Sequence, residues 1–278
     1  MNTSLYISSG ALQAFQQKLD TAANNVANVD TTGYKRRDHS FSEILANQIN
    51  NQGRGDQENG RLTPNGLRVG YGTRTGLTQL DDSQGQARET GNPFDLMIQG
   101  KGFFQIGYPS SGETRYTRDG NFHLSPNPNQ PGSYYLTNAN GGYLLDQNSQ
   151  PIVLDSEYDV TINSSGQILL KNGEEPQFTN GQRVGLVDIQ NPHLLQNSGN
   201  NEFSLAAAAL PNGQNAANYV RMMTPGEAQV SSGYLEGANV DLTKEMTDLM
   251  TAQRSFQMNS RAVSYADQMT GIATNILR

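Results

Sequence analysis

Residues 24–36 read NNVANVDTTGYKR, and the fold turns on what this stretch separates. Upstream of it, Leu5, Leu12, Leu19 and Val26 are spaced by seven, and Phe15, Ala22 and Val29 lie three residues further along. That is the apolar seam of a helix that pairs with another helix. The seam then meets asparagines, a threonine pair and a glycine. Gly33 is the expected stop, because glycine accepts left-handed geometry after a last helical turn. Asn24, Asn25 and Asn28 either face solvent or are buried in a bundle. If buried, their amides must be paired, and such pairs set register.

Beyond Gly33, Lys35, Arg36 and Arg37 are basic, and Ser40 with Glu43 fits a capping box for a short helix through Ile49. Residues 48–66, QINNQGRGDQENGRLTPNG, offer almost nothing to bury and read as a loop or arm. From residue 67 the pattern changes to strands. DLMIQGKGFFQI (95–106) and RYTRDGNFHL (115–124) are apolar or alternating runs, the second with Asp119-Gly120 as a hairpin turn. Similar hairpins are expected around Asn140-Gly141 and Ser165-Gly166, with further strands at 183–189 and 219–224. PNPNQPG (126–132) reads as an exposed connection.

The seven-residue spacing returns at the other end, in Leu242, Leu249, Phe256, Val263 and Leu277, with Ala252, Ala266 and Ala273 at positions three further along the repeat. Asn239 or Asp241 is placed to cap this helix, whose roughly 36 residues would rise about 54 Å. The sequence therefore divides into an N-terminal helix and arm (1–66), a central β-rich region (67–236) and a C-terminal helix (237–278). The fold class is α+β, with terminal helices forming a coiled-coil-like region and an all-β centre made of hairpins. A buried leucine is worth roughly 1.5–3 kcal/mol over an exposed one, so both seams need cover. Periodicity leaves open whether they cover each other within a chain or pack against further copies.

Composition narrows the function. Apolar residues make up only 35% of the 278, with 29 glycines and neither cysteine nor tryptophan, which describes a polar, turn-rich protein. A net charge of −7 argues against nucleic acid. Residues 1–20 lack the basic start and continuous apolar core of a cleaved leader, so the chain is expected in the cytoplasm or exported by a route that reads no such leader. The longest apolar-looking run, SLAAAALP (204–211), is too short to span a bilayer.

No catalytic, cofactor or metal site is expected. His39, His123 and His193 are far apart without cysteine, and metal sites need converging ligands. Asp81-Asp82 and Glu174-Glu175 are adjacent pairs, which do not share a strand face. GKGFF (100–104) lacks phosphate-loop spacing, and the serines of SSG (110–112 and 231–233) have no visible base. Lys101, Arg115 and Arg118, near Tyr116 and Phe122, are read as hairpin surface. The alternatives to an assembly protein are a module that binds cell-wall glycan through the central region and a wall-cleaving enzyme. Neither needs two terminal seams.

ANNVANVDTTGYKR (23–36) resembles the N-terminal signature of bacterial flagellar rod and hook proteins. GYLEGANVDLTKEMTDLMTAQRSFQMNSRAVSYADQM (233–269) is similar to their C-terminal signature, and GNPFDLMIQGKGFFQI (91–106) with RYTRDGNFHL resembles the opening of their middle domain. The pattern is nearest the distal rod type, then the proximal rod. Asp30 stands where the family often has asparagine, and Tyr34 where phenylalanine is common. The resemblance implies a non-enzymatic subunit, without cofactor, that polymerises helically into a hollow shaft between the export and rotor base and the hook. Its implied partners are copies of itself, other axial proteins of the proximal rod, distal rod and hook, and the flagellar export apparatus, with no nucleic acid and no membrane insertion. Asn24, Asn25, Asn28, Thr32, Gly33 and Tyr34 match the N-terminal motif. Asn239, Val240, Asp241, Leu242, Glu245, Met246, Gln253, Arg254, Phe256, Asn259 and Ala266 match the C-terminal one. The expected assembly seams are Leu5, Leu12, Phe15, Leu19, Asn24, Asn25, Val26, Asn28 and Gly33 at one end. Leu242, Met246, Leu249, Phe256, Asn259, Val263 and Ala266 form the other.

Overall fold

The computed structural model describes residues 2–43, 46–49, 67–70, 72–109, 112–128, 130–155, 159–172, 175–191, 194–205 and 219–276. The chain forms an α+β fold of two compact units. One gathers Met1–Val26, Arg37–Gln79 and Asp241–Arg278; the other gathers residues 27–36 and 80–240. Most of the arm at 50–66, His193, Glu174, the serines at 110 and 111, the alanines at 206–209 and Leu277 lie outside the described residues.

The first unit is built on helices α1 (Asn2–Ala27) and α2 (Leu242–Ile276). Neither interior contains proline, and alanine, leucine and glutamine recur through both, residues that lose little rotamer freedom in a helix. At 26 and 35 residues they rise about 39 and 52 Å. Two antiparallel ribbons accompany them, Ala46–Ile49 with Leu67–Gly70 and Arg37–Glu43 beside Thr73–Leu80. The second ribbon corrects the expected capping box, since Ser40 and Glu43 are strand residues. Residues 37–40 alternate half-buried and exposed, the period of a strand. Phe41 lies 5.9 Å from Phe15 of α1, ring centre to ring centre, with the Lys18 ammonium 5.8 Å from its ring. Tertiary contact with the helix thus outweighs a local capping motif.

The β unit centres on a sheet of ten strands among the described residues. Its main path runs Val153–Asp155, Ser133–Asn138, Tyr143–Leu144, Phe103–Gly107, Thr114–Thr117, Glu202–Leu205 and Leu195–Gly199. The hairpins around Asn140-Gly141 and Ser165-Gly166 form, with Thr137 opposite Tyr143 and Ile162 opposite Ile168. The 126–132 connection also closes a hairpin, pairing Phe122–Pro126 with Ser133–Asn138. Asp119-Gly120 is different. Thr114–Thr117 pairs with Phe103–Gly107 and Glu202–Leu205, not with Phe122–Pro126, so this dipeptide is a corner and not a hairpin turn. The Gly120 carbonyl accepts from Leu96 N at 3.0 Å, and a Cβ there would fall 1.6 Å from the Leu96 oxygen. Two apolar clusters fill the unit, the larger around Leu96, Phe104, Ile106, Phe122, Leu136 and Leu144, the smaller around Phe103, Val187 and Phe203.

Candidate assembly site

The signature at 24–36 straddles both units, and each half does separate work. Helix α1 ends at Ala27, six residues before the expected glycine stop. A turn follows in which Thr31 N donates to Asn28 O at 3.1 Å and Thr31 Oγ1 to Asn28 Oδ1 at 3.3 Å. Of the three asparagines, Asn24 is exposed, Asn28 half-buried and Asn25 buried. Asn25 Oδ1 accepts from Arg37 N at 3.0 Å, and its Nδ2 donates to Arg37 O at 2.9 Å and to Glu245 Oε2 at 3.1 Å. One amide therefore pairs with a strand backbone as another strand would, and joins α1 to α2. Glu245, buried on α2, sits just inside a cap made by Asp241, whose Oδ1 accepts from Thr243 N and Lys244 N at 2.9 and 3.1 Å. Asp241 is thus the cap.

Asn239 belongs to the other unit. Its Oδ1 accepts from Arg36 N at 2.6 Å, and its Nδ2 donates to the carbonyls of Asp81 and Ser83 at 2.8 and 3.0 Å. Gly33 lies in the same unit with φ +67° and donates its N–H to Glu236 O at 2.8 Å. A Cβ at Gly33 would stand 2.4 Å from Asp119 N and 2.7 Å from Arg118 C. The residue is therefore required by a close backbone approach, not by a helix end. Thr32 beside it donates to Asp119 Oδ1 at 2.9 Å. Burial pushes the Asp119 carboxyl above its ordinary range, against the donors Asn121 N and Thr32 that favour its charge.

Beneath this turn lies a buried charge cluster. Glu236 Oε1 accepts from Lys35 Nζ at 2.8 Å and Gly85 N at 2.9 Å, and Oε2 accepts from Arg118 Nη1 at 3.0 Å. Lys35 also donates to Ser83 O at 2.8 Å, and Arg118 to Gly100 O at 2.9 Å. Burial lowers the Lys35 pKa, Glu236 opposes that shift, and Arg118 reinforces it. Arg118 is 1% exposed, with its guanidinium 5.4 Å from the Phe103 ring centre. That corrects its reading as a hairpin surface residue. Arg115, half-buried, is held by Glu202 and Glu113, each at 3.1 Å; only Lys101 of the three is exposed.

On the helices, Leu5, Leu12, Phe15, Leu19 and Val26 are half-buried, while Ala14 and Ala22 are buried. On α2, Ala252 is buried, Leu249, Phe256, Asn259, Val263 and Ala266 are half-buried, and Leu242 and Met246 are exposed. Sequence reasoning missed a second stripe on the same helix. Met258, Tyr265, Met269, Ile272 and Ile276 follow steps of seven, four, three and four, which keeps them on one face. They are 65, 64, 63, 56 and 77% exposed. The spacing alone carried this signal, hidden because the first stripe had already accounted for the helix. Among the described residues no three histidine, cysteine or acidic side chains could hold a metal ion, and no helix is long and apolar enough to cross a membrane.

Comparison with known proteins supplies context for this arrangement. Three family models match: "Flagella basal body rod protein" over residues 5–35, "Flagellar hook protein FlgE/F/G D1 domain" over 97–170, and "Flagellar basal body rod FlgEFG protein C-terminal" over 231–276. The flagellar hook-basal body complex protein FlhP of Bacillus subtilis is 34% identical over 280 residues, covering 99% of this chain and 100% of its own. The flagellar basal-body rod protein FlgG of Agrobacterium fabrum is 35% identical, with 99% of each covered. FlgG of Bacillus subtilis is 32% identical, with both chains covered in full.

Proposed function

The chain belongs to the flagellar basal-body rod and hook protein family, and from that premise we propose that it is a rod subunit of the distal type, polymerising helically into the hollow shaft between the rotor base and the hook. At the level of the family it is a flagellar axial structural subunit, and the family is structural, not enzymatic. Its partners in this role are further copies of the same chain, neighbouring axial proteins of the proximal rod and hook, and the export apparatus that delivers it outside the cytoplasm.

The exposed stripe Met258, Tyr265, Met269, Ile272 and Ile276 is the observation that carries assembly. Each such side chain contributes about 1.5–3 kcal/mol when fully buried, and a contiguous exposed helical face of them marks an interaction surface. Successive copies packed along α2 supply that cover, with Leu242, Met246, Leu249, Phe256, Asn259, Val263 and Ala266 of α2 and Leu5, Leu12, Phe15, Leu19, Asn24, Asn25, Val26, Asn28 and Gly33 from the other end as the proposed seams. End-to-end similarity to proteins named as basal-body rod subunits supports rod over hook.

An epitope-labelled copy, located by immuno-electron microscopy on purified hook–basal bodies, tests the position. Label on the shaft segment next to the hook is expected. Label along the hook, or at the base of the shaft, overturns the distal-rod assignment.

A further inference from the structure

One side of the β unit carries a cavity of about 180 Å³ that assembly through the helices does not use, walled by Tyr108, Tyr143, Pro109 and Pro151 with Glu113 and Ser149 at its polar positions. Its aromatic walls are fixed before any ligand arrives. The Tyr108 hydroxyl donates to Glu202, which is 2% exposed and also accepts from Asn138 Nδ2, Asn140 Nδ2 and Arg115 Nη1 at 2.7, 2.8 and 3.1 Å. The Arg115 guanidinium lies 4.7 Å from the Tyr108 ring centre, and Tyr143 stacks on Tyr135 at 4.6 Å. Rings held in this way lose little freedom on binding.

The polar side is also built. Ser149 holds φ +58°, a left-handed conformation uncommon outside glycine. It sits in a turn stapled by Asp146 Oδ1, which accepts from Asn148 N at 2.8 Å and Gln150 N at 2.9 Å. Backbone strain of this kind concentrates at ligand sites. Behind it, buried Gln105 donates Nε2 to Ser149 Oγ at 3.3 Å, and its own Oε1 finds no partner among the described residues. The serine hydroxyl, having accepted, keeps its proton to donate.

We infer that this cavity binds a neutral saccharide ring. Two tyrosines and two prolines offer apolar faces for ring C–H groups, while Ser149 and the Glu113 carboxylate meet hydroxyls. Among the described residues no lysine or arginine lines the cavity, which disfavours an anion. The volume lies below the roughly 300–1,000 Å³ of drug-sized sites, so one ring fits and a larger ligand projects outward as a chain would.

Saturation-transfer NMR on unassembled full-length protein, with N-acetylglucosamine and its β-1,4-linked disaccharide as probes, tests this. Transfer to the ring protons is expected, with affinity falling about tenfold in Glu113→Ala, the equivalent of one lost hydrogen bond, and abolished in Tyr143→Ala. Glu113 is exposed, so the first variant folds even if the second does not. Absence of transfer to either probe overturns the inference, as does transfer unchanged in Glu113→Ala. Displacement of the sugar signal only on polymerisation supports a sugar site that a neighbouring copy overlaps. Because the readout is taken before assembly, its failure leaves the rod assignment standing, and the reverse also holds.

Discussion

Asn25 and Glu245, 220 residues apart in the chain, meet at 3.1 Å and join the two terminal helices by a buried hydrogen bond. Losing the amide removes one hydrogen bond from Glu245 and one from each backbone group of Arg37. Asn25→Ala should destabilise the helical unit by about 2–4 kcal/mol, while Asn24→Ala, at an exposed site, should be close to neutral. Urea unfolding followed at 222 nm, or hydrogen exchange of peptides from α1, measures the difference. Equal behaviour of the two variants would contradict the bridging role.

Glu236 pairs with two buried cations, Lys35 and Arg118. Glu236→Ala should cost the β unit about 3–5 kcal/mol, the range for breaking a buried pair. Lys35→Met should cost less, because Glu236 keeps Arg118 and Gly85 N. Hydrogen exchange in strands 87–89 and 234–236 reports the loss locally. The same geometry implies that a fragment starting at residue 80 lacks Lys35 and folds less stably than one to which residues 27–36 are restored.

The sequence exposed the larger elements because they repeat. Spacing by seven located both helices, and turn residues located the hairpins at 140–141 and 165–166. What it concealed were contacts between distant segments. Lys35 looked like one of three basic residues after a glycine, and nothing local distinguishes it from half-buried Arg36 and Arg37; its partner lies 201 residues away. Arg118 precedes an apparent turn dipeptide, but Gly120 serves a crossing with Leu96, and the arginine is carried inward with it. Ser40 and Glu43 satisfied a capping pattern that contact between Phe41 and Phe15 overrode.

Gly33 and Gly91 both have positive φ, +67° and +73°, but only Gly33 faces backbone at contact distance. Alanine at Gly91 should cost about 1 kcal/mol, from the left-handed conformation alone. At Gly33 the clash with Asp119 and Arg118 adds to it, for about 2–5 kcal/mol in total. Paired denaturation curves isolate the packing component, and matching losses would refute the close-approach explanation.

Acid sensitivity should trace to Glu202. Burial alone raises its pKa, but donors from Tyr108, Asn140, Arg115 and Asn138 together hold it below the ordinary 4.5. With the folded-state value lowered, the unfolded chain takes up the proton first. The stabilisation is therefore complete above 4.5 and is lost as pH falls through the folded-state value. Glu202→Gln should lower stability at neutral pH and flatten its fall below that point, as read from thermal unfolding across pH 2–7.

The chain has no cysteine, so a single one introduced by Tyr265→Cys reports only its own surroundings. Oxidative cross-linking in isolated basal bodies, with Thr90→Cys on the β unit as the comparison, asks directly whether the exposed face of α2 is covered by another subunit. Cross-linked multimers from position 265 that are absent in the unassembled protein are expected. A Tyr265→Cys subunit that enters basal bodies normally, yet remains unlinked and as open to thiol reagents there as in the free chain, would contradict assembly through that face.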